Sequence, residues 1–230
     1  MGLFGCSGGR GLHQRKGALP VIEEKTLDIL RQDIKTYMRE SRYRHTLGVE
    51  KEMRFLAAYY MPHRVAEAAA AGLLHDVTKE MTPKEQLAYC REFAIPLSEE
   101  EKLSPSLLHA RTGAHFAKTH FPACTTAAVA RAIERHTVAA KHMSIFDAML
   151  YLADYTEENR RYPKCLSLRQ KIHTALPAAR PEDRRLLLSA FLLEAYDNTL
   201  SSLIEMGCVI SPATLKARNF LLAKGVHYDK

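Results

Sequence analysis

The sequence predicts an all-α fold. Apolar residues recur three and four positions apart, as in Leu27, Leu30 and Ile34, which is the spacing of one face of an α-helix. Alternating β-branched runs, which would indicate strands, are absent from the sequence. Prolines recur at intervals suited to helix starts, and Thr82-Pro83 places a capping residue directly before one of them. A helical bundle is therefore the expected architecture.

Nine or ten helices are expected, and no repeat, linker or low-complexity segment divides them. Their predicted bounds are 22–40, 43–60, 63–75, 83–93, 106–119, 125–136, 144–156, 164–175, 181–206 and 212–223. Residues 1–19 hold three basic residues and no acid among several glycines, so we expect a flexible basic tail there. Residues 20–230 are expected to form one domain.

Composition narrows the class of protein. The 230 residues are 47% hydrophobic and 26% charged, which excludes a disordered chain. The net charge of +7 favours an anionic partner, whether nucleic acid, a lipid surface or a phosphorylated small molecule. Five cysteines without a CxxC pair favour a reducing compartment. No apolar run approaches the ~20 residues of a membrane span. We therefore predict a cytoplasmic protein.

Histidines and aspartates occur at helix-length intervals, each on or beside an apolar helical face. The central pair, His75-Asp76, ends an alanine-rich segment, where a carboxylate is costly to bury unless it meets a cation. The other members are His45, His109, His136 and Asp154. A single core histidine is ordinary, but a shared metal cluster would satisfy all of these buried groups together. Imidazole and carboxylate ligands suit iron, manganese, zinc, cobalt or nickel.

The order His…His-Asp…His…His…Asp resembles the HD-domain phosphohydrolases in their six-ligand, two-metal form. The surrounding segments are similar to the YqeK family, the symmetrical diadenosine tetraphosphate hydrolases. These segments are RYRHTLGV (42–49), AGLLHDVTK (71–79), LHARTGA (108–114), AIERHT (132–137), YLADYTEENR (151–160) and ISPATLKARN (210–219). The resemblance runs from Arg42 to Leu222 and implies an HD core at about 40–160, followed by C-terminal helices at 163–223.

The resemblance also implies roles for particular residues. One metal would be held by His45, His75, Asp76 and Asp154, and Asp76 would bridge to a second metal held by His109 and His136. Iron is the expected metal. Asp76 and Lys79 are the expected catalytic residues. Residues expected to contact the nucleotide are Arg42, Asp76, Lys79, His109, His136, Tyr155, Arg160, Val209, Ile210, Ser211, Pro212 and Thr214.

The implied reaction is hydrolysis of diadenosine tetraphosphate to two ADP, so the expected partners are this nucleotide and its product. Nucleic acid and membranes are not expected partners, and a homodimer is left open. Departures from the family pattern at Val138-Ala139, Thr156 and Glu158 fall in loops expected to face the substrate. The departures put the substrate preference in doubt, so another dinucleoside polyphosphate or a nucleoside triphosphate stays open as substrate. Two further alternatives are a slow nucleotide sensor and an RNA-binding protein without chemistry, although the six occupied ligand positions speak against the latter.

Overall fold

The computed structural model describes residues 22–228, which form eleven α-helices and no strand. The predicted all-α fold is confirmed, and the tail at 1–19 lies outside the described residues. The helices are α1 Glu24–Ile34, α2 Glu40–Tyr60, α3 Val65–Leu74, α4 Pro83–Glu92, α5 Glu99–Leu103, α6 His109–His120, α7 Ala127–Arg135, α8 Ile145–Thr156, α9 Pro163–Ala178, α10 Arg184–Glu205 and α11 Pro212–Ala223.

Helix boundaries follow the capping signals in the sequence. The Thr82 side chain accepts a hydrogen bond from the Glu85 backbone N–H at the start of α4, as the Thr82-Pro83 pair predicts. Helix α5 was not predicted, because its five residues are too few to show a helical period. Its start nevertheless carries a sequence signal, since Ser98 and Glu101 form a capping box.

Helix α3 lies at the centre of the bundle and packs against α1, α2, α7 and α8. Its residues from Ala68 to Leu74 are all buried, and their small side chains allow neighbouring helices to approach closely. At Gly72 an added Cβ would lie 2.8 Å from the Cα atom of Glu50. Only glycine therefore allows α2 to cross α3 at this point, where the chain leads into the His75-Asp76 pair.

The C-terminal helices extend the same hydrophobic core. Helix α10 packs against α8, α9 and α11, and Leu168, Leu192 and Tyr196 belong to one buried cluster with the α3 residues. No helix among residues 22–228 combines the length and the apolar character that crossing a bilayer would require.

Candidate metal centre

Five segments bring the predicted histidines and aspartates together. His45 lies in the second turn of α2, His75 and Asp76 follow the end of α3, and His109 begins α6. His136 is the C-cap of α7, and Asp154 lies in the last turn of α8. Their ligand atoms form three overlapping groups, each within 4.8 Å: His45, His75 and Asp76; His75, His136 and Asp154; and Asp76, His109 and His136.

Asp76 lies in the middle of this cluster. Its Oδ2 atom is 3.3 Å from His75 Nε2 and 3.6 Å from His45 Nε2. Its Oδ1 atom is 3.4 Å from His109 Nε2 and 3.6 Å from His136 Nε2. The two carboxylate oxygens thus face two different pairs of histidines, which is the arrangement a bridging ligand requires.

Three of the four histidines are oriented by backbone carbonyl groups. In each case the ring Nδ1 atom lies close to the carbonyl oxygen three residues earlier: Gly72 for His75 (2.7 Å), Ser106 for His109 (2.6 Å) and Ile133 for His136 (2.7 Å). Because a carbonyl oxygen only accepts, Nδ1 carries the proton in each ring. Each Nε2 atom therefore presents a lone pair to the cluster, as metal-binding histidines do.

The distance between the Nε2 atoms of His109 and His136 shows whether these residues fit a metal ion. His109 Nε2 and His136 Nε2 lie 3.2 Å apart, and both carry lone pairs. The Thr137 hydroxyl is 3.0 and 3.2 Å from them and can donate to one, and the Lys79 ammonium is 3.2 Å from His109 Nε2, so the spacing of the two nitrogens is what can be compared with a metal site. Two nitrogens bound to one ion at ~2.1 Å and at right angles would lie about 3.0 Å apart. The buried histidine and aspartate groups are therefore consistent with a dimetal site.

Burial and neighbouring charges set the protonation of these residues. Burial and the Lys79 ammonium lower the pKa of His109 to about 3, so this ring is neutral. Burial alone would raise the pKa of the Asp76 carboxyl, but the surrounding histidines, His75 first, hold it well below its usual range. Burial also opposes the charge on His45, yet hydrogen bonds to Asp154 and Glu157 outweigh it and raise the pKa of His45 to about 9.

The centre opens to solvent on one side. The side chains of His75 and Asp76 are 0% and 4% exposed, whereas that of Asp154 is 22% exposed. Two guanidinium groups line this opening: Arg42 Nη1 is 2.8 Å from Asp76 Oδ2, and Arg160 Nη2 is 2.6 Å from Asp154 Oδ1. The exposed edge of the cluster therefore carries positive charge beside its carboxylates.

Lys79 lies one turn beyond Asp76. The helix ends at Leu74, but a turn continues the chain and the Lys79 N–H donates to the Asp76 carbonyl at 2.9 Å. The spacing of three residues therefore brings Lys79 to the cluster even though the α-helix does not continue. Its Nζ atom is 3.2 Å from His109 Nε2, and burial lowers the pKa of the Lys79 ammonium.

The remaining predicted contact residues lie on two other elements. Tyr155 is half-buried and hydrogen-bonds with Cys165 and Asn198 of the C-terminal helices. Thr214 donates to the carbonyl of Val138 at 2.8 Å, which brings the start of α11 to the loop after His136. Ser211 is extended and caps α11, as its place before Pro212 predicts. The roles of Tyr155 and of the segment from Val209 to Thr214 beside a nucleotide stay predictions.

A cleft of about 510 Å³ lies between α6, α7 and α11. Its lining includes Arg111, Lys141, Ser211 and Lys216 together with acids such as Glu134. None of the candidate metal ligands lines it. The cleft borders the predicted nucleotide segment, but the candidate chemistry lies in the cluster around Asp76.

Sequence reasoning missed two residues that contact the cluster. Glu157 is 1% exposed, and its Oε1 atom is 3.1 Å from His45 Nδ1. Thr137, described above, contacts His109 and His136. Their signals were weak: Glu157 is an acid three residues after Asp154, and Thr137 directly follows a candidate ligand.

The loop after His136 contains an alanine in a backbone conformation that favours glycine. Ala139 has a φ of 61°, in the left-handed region that glycine adopts without steric cost. The chain turns sharply here after α7, and the Ala139 N–H donates to the Arg135 carbonyl at 3.0 Å. Alanine at this position therefore adds strain to the loop that follows His136, which glycine would not.

Comparison with known proteins agrees with this geometry. The HD domain matches residues 42–159, so the fold and the site define an HD-domain protein. A symmetrical bis(5'-nucleosyl)-tetraphosphatase of Halalkalibacterium halodurans is 30% identical over 193 residues, covering 83% of this chain and 94% of that protein. One from Bacillus subtilis is 27% identical over 198 residues, with the same coverage of 83% and 94%.

A solved structure from Clostridium acetobutylicum is also similar. It is described as a predicted HD superfamily hydrolase involved in NAD metabolism, and it matches with a TM-score of 0.74 and 29% identity. The match covers 86% of this chain and 97% of that one. The chain belongs to the YqeK-like family of HD-domain hydrolases.

Proposed function

We propose that this protein is a dinuclear-metal hydrolase that cleaves diadenosine tetraphosphate symmetrically into two ADP. The observation that carries the proposal is the Asp76 carboxylate, whose two oxygens face the His45–His75 and His109–His136 pairs at 3.3 to 3.6 Å. The names of the two bacterial relatives support the choice of substrate.

The candidate ligands divide around Asp76. His45, His75 and Asp154 would hold one ion with Asp76, and His109 and His136 would hold the other with the same carboxylate. Two bound divalent cations supply a water of lowered pKa and neutralise phosphate oxygens. We propose iron as the metal, since the imidazole and carboxylate donors suit it and the family resemblance implies it.

Three cations of the chain would bind the polyphosphate. Arg42 and Arg160 line the opening, and their planar guanidinium groups match phosphate oxygens. Arg42 uses one nitrogen on Asp76, while its buried Nε atom forms no hydrogen bond within residues 22–228. Lys79 adds a point charge beside His109. These groups would hold the substrate with its anhydride facing the cluster.

The proposed reaction breaks the central phosphoanhydride bond. The oxygen of one water forms a bond to one of the two central phosphorus atoms, the bridging oxygen leaves with the other half, and the surplus proton goes to solvent. Each half is then ADP. The Thr137 hydroxyl, beside His109 and His136, is placed to orient a water there.

The experiment is product analysis by chromatography. Purified protein with diadenosine tetraphosphate should give ADP alone, and His75→Ala and Asp76→Ala should remove the activity. Release of ATP and AMP would contradict symmetrical cleavage. Parallel reactions with another dinucleoside polyphosphate and with a nucleoside triphosphate would show whether one of these is preferred. Metal analysis of anaerobically purified protein tests the choice of iron.

The nucleotide and its ADP product are the partners we propose, and the cytoplasm is the proposed setting. The three buried cysteines Cys90, Cys124 and Cys165 are free thiols in the structure, which suits a reducing compartment. Size measurement in solution tests the homodimer that the sequence leaves open.

A further inference from the structure

The two halves of the candidate centre have unequal charge, and this inference rests on the proposed dimetal function. We call His45, His75 and Asp154 the His45 side, and His109 with His136 the His109 side; Asp76 belongs to both. The His45 side has a carboxylate of its own. The His109 side has none, and the Lys79 ammonium lies 3.2 Å from His109 Nε2. Arg42 and Arg160 each bond one carboxylate oxygen on the His45 side, so the advantage of this side for a cation is its one additional anionic ligand, Asp154.

A second carboxylate lies behind His45. Glu157 is buried, and its Oε1 atom is 3.1 Å from His45 Nδ1. The other oxygen, Oε2, accepts hydrogen bonds from Asn159 N at 2.6 Å and Asn159 Nδ2 at 2.9 Å. Among the four histidines of the cluster, His45 is the one whose Nδ1 faces a carboxylate rather than a backbone carbonyl.

The sequence of α2 makes room for this contact. Gly48 lies three residues after His45, on the same face of the helix. A Cβ at Gly48 would overlap the Glu157 Oε2 atom and would lie 2.9 Å from Asn159 Nδ2. A residue larger than glycine would therefore displace the carboxylate from His45.

We propose that Glu157 is a positioning residue that fixes His45 as a metal ligand and makes the His45 side the tighter and first-filled of two metal positions. A carboxylate behind an imidazole holds the proton on Nδ1, orients the ring and makes Nε2 a stronger donor. Loss of such a partner typically lowers metal affinity by about 10- to 100-fold.

Glu157→Gln distinguishes this positioning role from a role in filling space, because glutamine has nearly the same size as glutamate. The two Asn159 N–H groups would attract the amide oxygen to the position of Oε2, which turns the amide NH₂ toward His45 Nδ1. Nδ1 would then have to accept, so the ring proton would move to Nε2, where the metal would bind. We therefore expect this nearly isosteric change to weaken the His45 side selectively.

The test is a titration of metal-free full-length protein with Mn²⁺, with bound ion counted from the loss of the free-ion electron paramagnetic resonance signal. Wild-type protein should bind two ions in two steps. In Glu157→Gln the tighter step should weaken by about 10- to 100-fold, while the weaker step stays near its wild-type affinity. The matched control is Glu158→Gln, because Glu158 is an exposed neighbour that pairs with Lys51; it should bind as wild type.

Glu157→Asp provides a second variant if the amide variant does not fold. It keeps the charge but withdraws the carboxylate by one carbon, so a positioning role predicts a similar loss of the tighter step. Wild-type binding in both folded variants would overturn the proposal, as would loss of the weaker step alone. If two ions bind in this order but no dinucleotide is cleaved, the proposed function fails and the metal order stands.

Discussion

The two sides of the candidate centre use the same imidazole chemistry in opposite electrostatic surroundings. Asp154 and Glu157 overcome burial and raise the pKa of His45 to about 9, whereas burial and Lys79 lower the pKa of His109 to about 3. Both rings nevertheless direct Nε2 toward the Asp76 carboxylate. Residue type thus makes each histidine a candidate ligand, and the neighbouring charges decide how strongly it would hold a cation.

Removing the shared residue should have the largest effect. In Asp76→Ala both sides lose their common ligand, so we expect loss of both ions and a fall in kcat on the order of a thousandfold, as for removal of a strong transition-state contact. Metal analysis and turnover measurements check this. Asp33→Ala, at an exposed aspartate of α1, should behave as wild type. Retention of two ions by Asp76→Ala would show that Asp76 does not bridge.

Removing one side should leave the other filled. We expect His136→Ala to bind about one ion per chain and to lose roughly a hundredfold in kcat, comparable to one lost electrostatic contact. The reason is that the His45 side keeps its two histidines and the carboxylates of Asp76 and Asp154. Metal stoichiometry with Mn²⁺ is the measurement. Loss of both ions in this variant would mean that the two sides do not act separately.

Removing the Lys79 charge should bring the two sides closer in affinity. The electrostatic interaction energy of two unit charges 4 Å apart is ~4 kcal/mol near a protein surface. After discounting for partial exposure, Lys79→Met should raise the affinity of the His109 side by about tenfold, equivalent to ~1.4 kcal/mol. The same variant should have a higher KM, because a phosphate contact is lost. Lys84→Met, at an exposed lysine of α4, is the control. An unchanged weaker step would contradict the electrostatic account.

A buried acid away from the cluster, Glu67, allows a change in the stability of the fold to be measured without a change in metal binding. Glu67 of α3 is 8% exposed and hydrogen-bonds with Arg64 and with Thr126, the N-cap of α7. Burial alone would raise the pKa of Glu67, but these bonds lower it below 4.5. Because the folded form binds the proton less readily, Glu67 stabilises the fold above about pH 4.5 and this contribution is lost as the pH falls.

We therefore expect Glu67→Gln to lower the free energy of unfolding of metal-free protein by ~1–2 kcal/mol at pH 7. The difference should shrink below pH 4.5, where wild-type Glu67 itself takes up a proton. Urea unfolding at pH 7 and pH 4 measures both values. Metal stoichiometry should not change. A difference that grows in acid would show that the sign of the pKa shift is wrong.

The smallest effect is expected in the loop after His136. Ala139→Gly should relieve the left-handed strain of ~1–2 kcal/mol, less the entropy that glycine loses on folding, and so stabilise the protein by about 0.5–1 kcal/mol. Thermal unfolding measures this gain. Val138→Gly serves as the comparison, since only position 139 carries the positive φ of this pair. Equal effects at the two positions would contradict a backbone origin.

Helix positions were predictable where the helical period of apolar residues extends over several turns and an N-cap residue marks the start. Helices α4, α8 and α11 begin within a residue of their predicted starts, because Thr82, Ser144 and Ser211 cap them. The first predicted helix is shorter than expected: α1 ends at Ile34 and continues as a 3-10 turn over Lys35–Tyr37. Helix α5 was missed for lack of length. Boundaries of this kind depend on tertiary packing as well as on the local sequence.

By itself, the sequence determined the all-α fold and the residue types that converge on the candidate centre, since periodicity, caps and the order of histidines and aspartates are local properties. Only the tertiary structure decided which oxygen of Asp76 faces which pair, that Arg42 and Arg160 line the opening, and that Glu157 lies behind His45. Those contacts join residues as far as 112 positions apart. They depend on how closely α2, α3 and the end of α8 pack, and Gly48 and Gly72 permit that packing because any Cβ would collide there.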